Sequence, residues 1–219
     1  MTISSITLES LNRYTNRYNQ LSDLWLEDLI NQNAERDDIV PFIQKDTAYF
    51  LQFIVKIMQP KRVLELGTGI GISTLVIASV LPVGGQITTI EREERFIKEA
   101  KENFQKFKVE NIDLIQGDAA QIVPDLEGSY DLIFQDSGKQ TYPQTLEPLV
   151  QLLQPGGLLL ADDTLFPAMD LPDRNHTTQL VIDEFNKAVK NHCSLESCIL
   201  PIGHGVTAAI KVDKENLTY

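Results

Sequence analysis

From residue 61 to the end of the chain, short runs rich in Ile, Leu and Val alternate with longer amphipathic runs, and this rhythm sets the architecture. Strands are predicted at Arg62 to Leu66, Gln86 to Glu91, Ile112 to Gln116, Asp131 to Gln135 and Leu158 to Ala161, each followed by a turn and a helical stretch. Strands alternating with helices specify a parallel sheet covered on both faces. After a helix over roughly Thr178 to Asn191 come two last strands, Leu195 to Leu200 and Val206 to Val212, joined by Pro201-Ile202-Gly203-His204-Gly205. A connection that short cannot cross over the sheet, so this pair runs antiparallel.

Residues 4–58 show helical spacing instead, as in Leu21, Leu24, Trp25, Asp28 and Leu29, then Phe50, Phe53, Ile54 and Ile57. Pro41, flanked by Ile39, Val40, Phe42 and Ile43, predicts an extended apolar passage between two helices. The chain thus reads as one domain over 1–219, an N-terminal helical extension (1–58) leading into an α/β core (59–219). The core carries seven strands, five parallel and two in a closing antiparallel hairpin, with helices on both faces.

Composition narrows the possible partners. A net charge of −12 disfavours a general nucleic-acid-binding surface, which needs Lys and Arg to displace counterions. Lys98, Lys101, Lys106 and Lys108 fall on one predicted helix and read as a solvated face. Cys193 and Cys198 lack the spacing of a disulfide framework, and no secretory leader or eighteen-residue apolar run is present, so a cytoplasmic protein with free thiols is expected.

The chemistry gathers at the strand ends. Val63-Leu64-Glu65-Leu66 runs into Gly67-Thr68-Gly69-Ile70-Gly71 and then a helix near Ser73. Glycines there let backbone amides approach a ligand, and a helix start offers unpaired N–H groups to an anion. The G-x-G-x-G order differs from the G-x-G-x-x-G dinucleotide fingerprint, which counts against a nicotinamide-dependent oxidoreductase. Glu91, followed by Arg92, closes the second strand where ribose hydroxyls are held in doubly wound folds; it also reads as a charge at a helix start. Gln116-Gly117-Asp118-Ala119 closes the third, with room for an adenine, and Asp118 is equally suited to cap a helix. Asp136 follows the fourth strand and Asp162-Asp163 the fifth. Three converging carboxylates suit a hard divalent ion such as Mg²⁺, Ca²⁺ or Mn²⁺, or else serve as helix caps.

Taken together, Leu-Glu-Leu-Gly-Thr-Gly, Thr-Ile-Glu, Gly-Asp-Ala, Asp-Leu-Ile-Phe-Gln-Asp-Ser-Gly-Lys, the Pro155-Gly156-Gly157 turn, Ala-Asp-Asp-Thr-Leu-Phe and Pro-Ile-Gly-His-Gly resemble the cation-dependent O-methyltransferases. That family includes catechol and caffeoyl-CoA O-methyltransferases and small bacterial members, and the likeness runs from about Ile39 onward. The resemblance implies a class I methyltransferase fold of Rossmann type that binds S-adenosylmethionine (SAM). It places Glu65, Gly67, Thr68, Gly69, Gly71, Ser73, Glu91, Arg92, Gly117, Asp118, Ala119 and Asp136 at the donor site. It also implies a divalent cation, Mg²⁺ first, on Asp136, Asp162 and Asp163, with Asp136 and Lys139 at the catalytic positions.

In such a site the ion lowers the acceptor hydroxyl pKa, Lys139 takes the proton, and the oxyanion attacks the sulfonium methyl in line. The implied acceptor is a small catechol-like or phenolic hydroxyl compound; a hydroxyuridine of transfer RNA is the alternative. The loop from Phe166 to Thr177 is placed to wall the acceptor pocket, or else is a plain surface connection. Relatives imply a homodimer built on the N-terminal helices, and no membrane partner is expected.

Three positions depart from the family pattern. Asp162-Asp163 stands where Asp-Asn is usual, keeping an oxygen ligand and adding a negative charge, so a degenerate SAM-binding homologue is the non-enzyme rival. Gln135 replaces an apolar residue, and His204 stands where an acidic residue is common; both are expected near the substrate rim. His204 otherwise reads as a solvated turn residue, and His176 and His192 as surface positions, none with a catalytic role.

Overall fold

The structure is a computed structural model that describes residues 7–39 and 42–212. Three helices come first: α1 (Leu8–Thr15), α2 (Leu24–Asn33) and α3 (Lys45–Met58). Val40 and Pro41, the centre of the apolar passage, lie outside the described residues, as do residues 4–6 of the extension. Then follow β1 (Arg62–Leu66), α4 (Ile72–Ala78), β2 (Gln86–Glu91), α5 (Glu94–Lys106), β3 (Ile112–Gln116), α6 (Ala119–Ile122), β4 (Tyr130–Gln135), α7 (Tyr142–Leu152), β5 (Leu153–Ala161), α8 (His176–Asn191), β6 (Leu195–Leu200) and β7 (Val206–Lys211).

The seven strands form one sheet in the order β3-β2-β1-β4-β5-β7-β6. β1 to β5 pair in parallel, while β7 runs antiparallel to both β5 and β6, as the short 201–205 connection requires. This is the class I methyltransferase arrangement. Strand order reverses between β1 and β4, and in such sheets the crevice at the carboxyl ends beside the reversal is the ligand site.

Side-chain alternation along the strands builds two apolar layers. Val63, Leu132 and Phe134 face α3, α4 and α5, whereas Leu64, Leu66 and Ile133 face α7 and α8. By the same alternation Glu65 points toward α4 and Gln135 toward α7, and both are fully buried polar side chains.

Two details differ from the sequence pattern. The Pro155-Gly156-Gly157 turn is a bulge inside β5, where the register with β4 slips between Tyr130 and Leu132. In α3 the helical period is right but the buried stripe is Ala48, Leu51, Gln52 and Val55, leaving Phe53 and Ile57 at 60% and 63% exposure. That helix is apolar on most sides, so periodicity alone does not choose its inner face. Among the described residues no helix is long and apolar enough to cross a membrane.

Candidate active site

A cavity of about 460 Å³ opens at the carboxyl ends of the central strands. One end is formed by the β1–α4 loop. Gly67 accepts the loop geometry because its φ is +96° and an added Cβ would lie 2.4 Å from the Asp136 carbonyl oxygen. Only glycine fits where the two strand ends approach so closely. Gly67 and Asp136 donate backbone hydrogen bonds to Ile90 and Leu66 at 3.0 and 2.8 Å, tying the ends of β1, β2 and β4 together.

Glu91 clasps the same loop. Its Oε2 accepts the Gly69 amide at 2.8 Å, and Oε1 accepts those of Arg92 and Glu93 at 2.9 and 3.0 Å. Asp118 caps α6 through Oδ1, which accepts the Ala120 amide at 2.9 Å, while Oδ2 lies 3.8 Å from Arg92 Nη1. The cap reading of Asp118 therefore holds, with its second oxygen left at the cavity. Thr68, Ser73, Gly117 and Ala119 line this end as well.

Two of the donor-site candidates are not in the cavity wall. Gly71 backs onto the Phe104 ring, 2.5 Å from where its Cβ would stand. Glu65 lies behind the loop, where Oε2 accepts from the hydroxyls of Thr74 at 2.5 Å and Thr89 at 2.6 Å. Its Oε1 makes no close hydrogen bond, and burial pushes its pKa up to about 7 against the opposing hydroxyls of Ser73, Thr74 and Thr89. Motif position alone could not reveal this, because strand alternation turns Glu65 toward α4 rather than toward the crevice.

The other end carries the charges. Lys139 Nζ donates to Asp136 Oδ1 at 2.7 Å, contacts Asp163 Oδ2 at 2.8 Å and donates to Tyr142 Oη at 3.0 Å, so its three protons are all engaged. Tyr142, fully buried, stands within hydrogen-bond reach of the Gln135 and Asp162 carbonyls at 2.9 and 3.0 Å. Asp162 turns Oδ1 back to accept the Asp163 amide at 2.9 Å. Asp163 adopts the left-handed φ of +62° and contacts His204 Nδ1 through Oδ1 at 3.0 Å; His204 Nε2 meets Gln44 Nε2 at 2.8 Å.

All three aspartates line the cavity. Among the described residues no three His, Cys, Asp or Glu side chains form a group that could hold a metal ion, and the Lys139 ammonium sits between Asp136 and Asp163. The three strand-end aspartates thus come to one cavity, two of them paired with Lys139.

Its electrostatics follow from burial and neighbours. Burial raises the Asp136 and Asp162 carboxyls, and for Asp162 the charges of Asp136 and Asp163 add to the push. Burial also disfavours the Lys139 ammonium, yet Asp136, Tyr142, Asp163 and Asp162 together hold it well above the ordinary lysine value. For Asp163, burial is outweighed by His204 and Lys139, and its pKa is lowered. The bond to Asp163 raises His204 against the effect of burial.

Sequence reasoning missed Tyr142 and Gln44, and of its two readings of His204 the one beside the cavity holds. Tyr142 lies three residues after Lys139 at a helix start, a spacing that puts both on one face and was legible. Gln44 carries no such signal. His204 is no free solvated turn residue but part of the cavity wall, with a 40% exposed side chain. His192 also departs from a plain surface position: its side chain is 15% exposed and pairs with Glu147 at 3.1 Å.

The sequence model of the family described as O-methyltransferase matches residues 18–212. The chain belongs to this O-methyltransferase family. It is 31% identical over 175 residues to a caffeoyl-CoA O-methyltransferase of Populus kitakamiensis, covering 74% of both chains. It is 30% identical over 173 residues to the tapetum-specific methyltransferase 1 of Arabidopsis thaliana, again with 74% of each covered. An SAH-bound methyltransferase of Podospora anserina superposes with a TM-score of 0.84 at 24% identity, over 97% of this chain and 100% of the other. The SAM-bound O-methyltransferase TomG of Streptomyces achromogenes gives 0.79 at 21% identity, over 95% and 100%. These two likenesses establish the fold, and family membership makes the chain a SAM-dependent O-methyltransferase.

Proposed function

We propose that the enzyme methylates a hydroxyl of a small aromatic acceptor with vicinal oxygens, aided by a divalent cation. The observation that carries this reading is the Lys139 ammonium held by Asp136, Asp163 and Tyr142 in the same cavity as the glycine loop. Donor and acceptor ends are contiguous, so two bound reactants can be aligned, which is the largest available source of rate for such a transfer.

The glycine loop, Glu91 and Asp118 suit SAM: a cradle in which Gly67 has no room for a Cβ, a carboxylate at the end of β2 and an Asp118 oxygen not spent on the helix cap at the adenine end. The acceptor end suits a hard cation in donor chemistry, since three carboxylates face one ammonium and every donor is oxygen. Asp136, Asp162 and Asp163 would hold the ion. Such an ion would supply Lewis-acid polarisation of the acceptor hydroxyl.

With one of its three protons first lost to solvent, Lys139 receives the hydroxyl proton at Nζ. The acceptor oxygen then bonds to the methyl carbon as the carbon–sulfur bond breaks, leaving a neutral thioether. Tyr142 keeps Lys139 aimed at the cavity throughout, because its ring is buried and its hydroxyl is fixed by two carbonyls. Arg92 and Lys139 are the arginine and lysine of the cavity wall, and Lys139 is already paired, so a polyphosphate-bearing or polynucleotide acceptor finds little to bind.

Methyl-labelled SAM offered with catechol, free caffeate, caffeoyl-CoA and undermodified transfer RNA tests the reading. Transfer to the free phenols, lost on adding EDTA and restored by Mg²⁺, is expected. SAM binding without transfer to any of the four would mean a degenerate binder.

A further inference from the structure

We infer that His204 is a positioning residue, fixing the Asp163 carboxylate against Lys139 and anchoring the acceptor end of the cavity to the start of α3. The inference rests on the methyl-transfer reading above. Asp163 sits at φ +62°, a left-handed conformation uncommon for a residue with a β-carbon and fixed here by its surroundings.

The surroundings here are the 203–205 turn. Leu165 and Thr164 donate backbone hydrogen bonds to the carbonyls of His204 and Gly205, each at 2.9 Å. An added Cβ on Gly205 would stand 2.7 Å from the Leu165 backbone nitrogen, so the turn and the loop are closely packed there. On its other side the turn is held by Asp46 of α3, whose Oδ2 accepts the Gly203 amide at 2.8 Å.

Between these two fastenings lies the His204 ring. Nδ1 stands 3.0 Å from Asp163 Oδ1 and Nε2 stands 2.8 Å from the Gln44 side-chain amide at the N-cap of α3. The carboxylate accepts, so Nδ1 carries the proton, and the ring is aligned from both ends. With Oδ1 taken, Asp163 presents only Oδ2 to Lys139, 2.8 Å away. Phe166, whose ring centroid is 5.6 Å from that of His204, closes the same wall. The imidazole thus sets which carboxylate oxygen faces the reacting group and holds it there while an acceptor enters.

Two measurements test this. With catechol as acceptor, His204→Ala should lower kcat by about 10- to 100-fold, the usual cost of losing a partner that orients a liganding or reacting group. Its SAM dissociation constant should stay within about twofold, because the donor end is untouched. His204→Asn puts an amide nitrogen near the Nδ1 position and should recover most of the loss. Wild-type kcat in His204→Ala, or no rescue by Asn, overturns the role.

The second readout needs no turnover. In metal-free protein labelled with ¹⁵N-histidine, the His204 ring should show a proton on Nδ1, and Asp163→Ala should abolish that preference. A ring unprotonated at Nδ1, or unchanged by Asp163→Ala, overturns the proposal even where catalysis is normal. An inactive wild type with the expected ring spectrum would instead locate the failure in the functional reading.

Discussion

The two ends of the cavity are built differently. At the donor end, carboxylates bond backbone amides close by in sequence or across adjacent strands: Glu91 with Gly69, Arg92 and Glu93, and Asp118 with Ala120. At the acceptor end, side chains bond one another, Lys139 with Asp136 three residues away and, across long stretches of chain, Lys139 with Asp163 and Asp163 with His204, which meets Gln44. A backbone-built site follows from the fold and tolerates change around it, whereas a side-chain network is tuned by single substitutions and can fail at any one of them.

The largest effect that separates the two ends is expected at Lys139. Lys139→Ala removes the proton acceptor and leaves Asp136, Asp163 and Tyr142 without their shared partner, so kcat should fall by about 10²- to 10⁴-fold. SAM affinity, read by calorimetry, should hardly move. Parallel losses in both would mean that the ends are not separable and that Lys139 also holds the donor.

Gly67→Ala attacks the comparison from the opposite side. The new Cβ meets the Asp136 carbonyl at 2.4 Å in a left-handed backbone, strain worth about 3 to 4 kcal/mol if the fold does not yield. Because that carbonyl belongs to the residue that binds Lys139, both SAM affinity and the unfolding midpoint should drop. A variant with wild-type stability and weakened SAM binding alone would show that the strand ends can separate without cost.

This asymmetry also governs what the sequence discloses. The strands, the glycine loop, Glu91, Asp118 and Lys139 are legible because spacing and strand ends carry them, and the structure keeps them where the pattern puts them. Glu65 misleads, since its motif position says ligand while alternation along β1 sends it behind the loop to Thr74 and Thr89. The link from Gln44 through His204 to Asp163 joins three distant segments, which no local pattern encodes. Two departures from the family pattern, Asp163 and His204, prove to be in contact, so they were visible singly but their pairing was not.

Glu65 gives the next smaller effect, one that turns on pH. Its carboxyl, at about 7 against an ordinary 4.5, binds a proton more tightly in the folded chain than in the unfolded one. Between those values the native state holds more protons, so stability falls as pH rises and stays reduced above pH 7. Glu65→Gln removes that slope. Compared with wild type, the variant should gain on the order of 2 kcal/mol in urea unfolding between pH 5 and pH 8. A gap that does not change with pH would mean that Glu65 is charged in the fold, with its unpartnered oxygen satisfied by water.

Asp118→Asn should have the smallest effect and divides the donor end itself. Asparagine caps a helix as well as aspartate does, so the bond to the Ala120 amide survives and the unfolding free energy should change by less than about 0.5 kcal/mol. The second oxygen, however, becomes an amide donor or an oxygen already spent on the cap. An adenine amino group then loses its acceptor, and Arg92, 3.8 Å away, loses its carboxylate. SAM affinity should fall by about tenfold, near 1.4 kcal/mol, with kcat at saturating SAM unchanged. Unaltered affinity would leave Asp118 as a cap alone and move adenine recognition to the small residues Gly117 and Ala119 beside it.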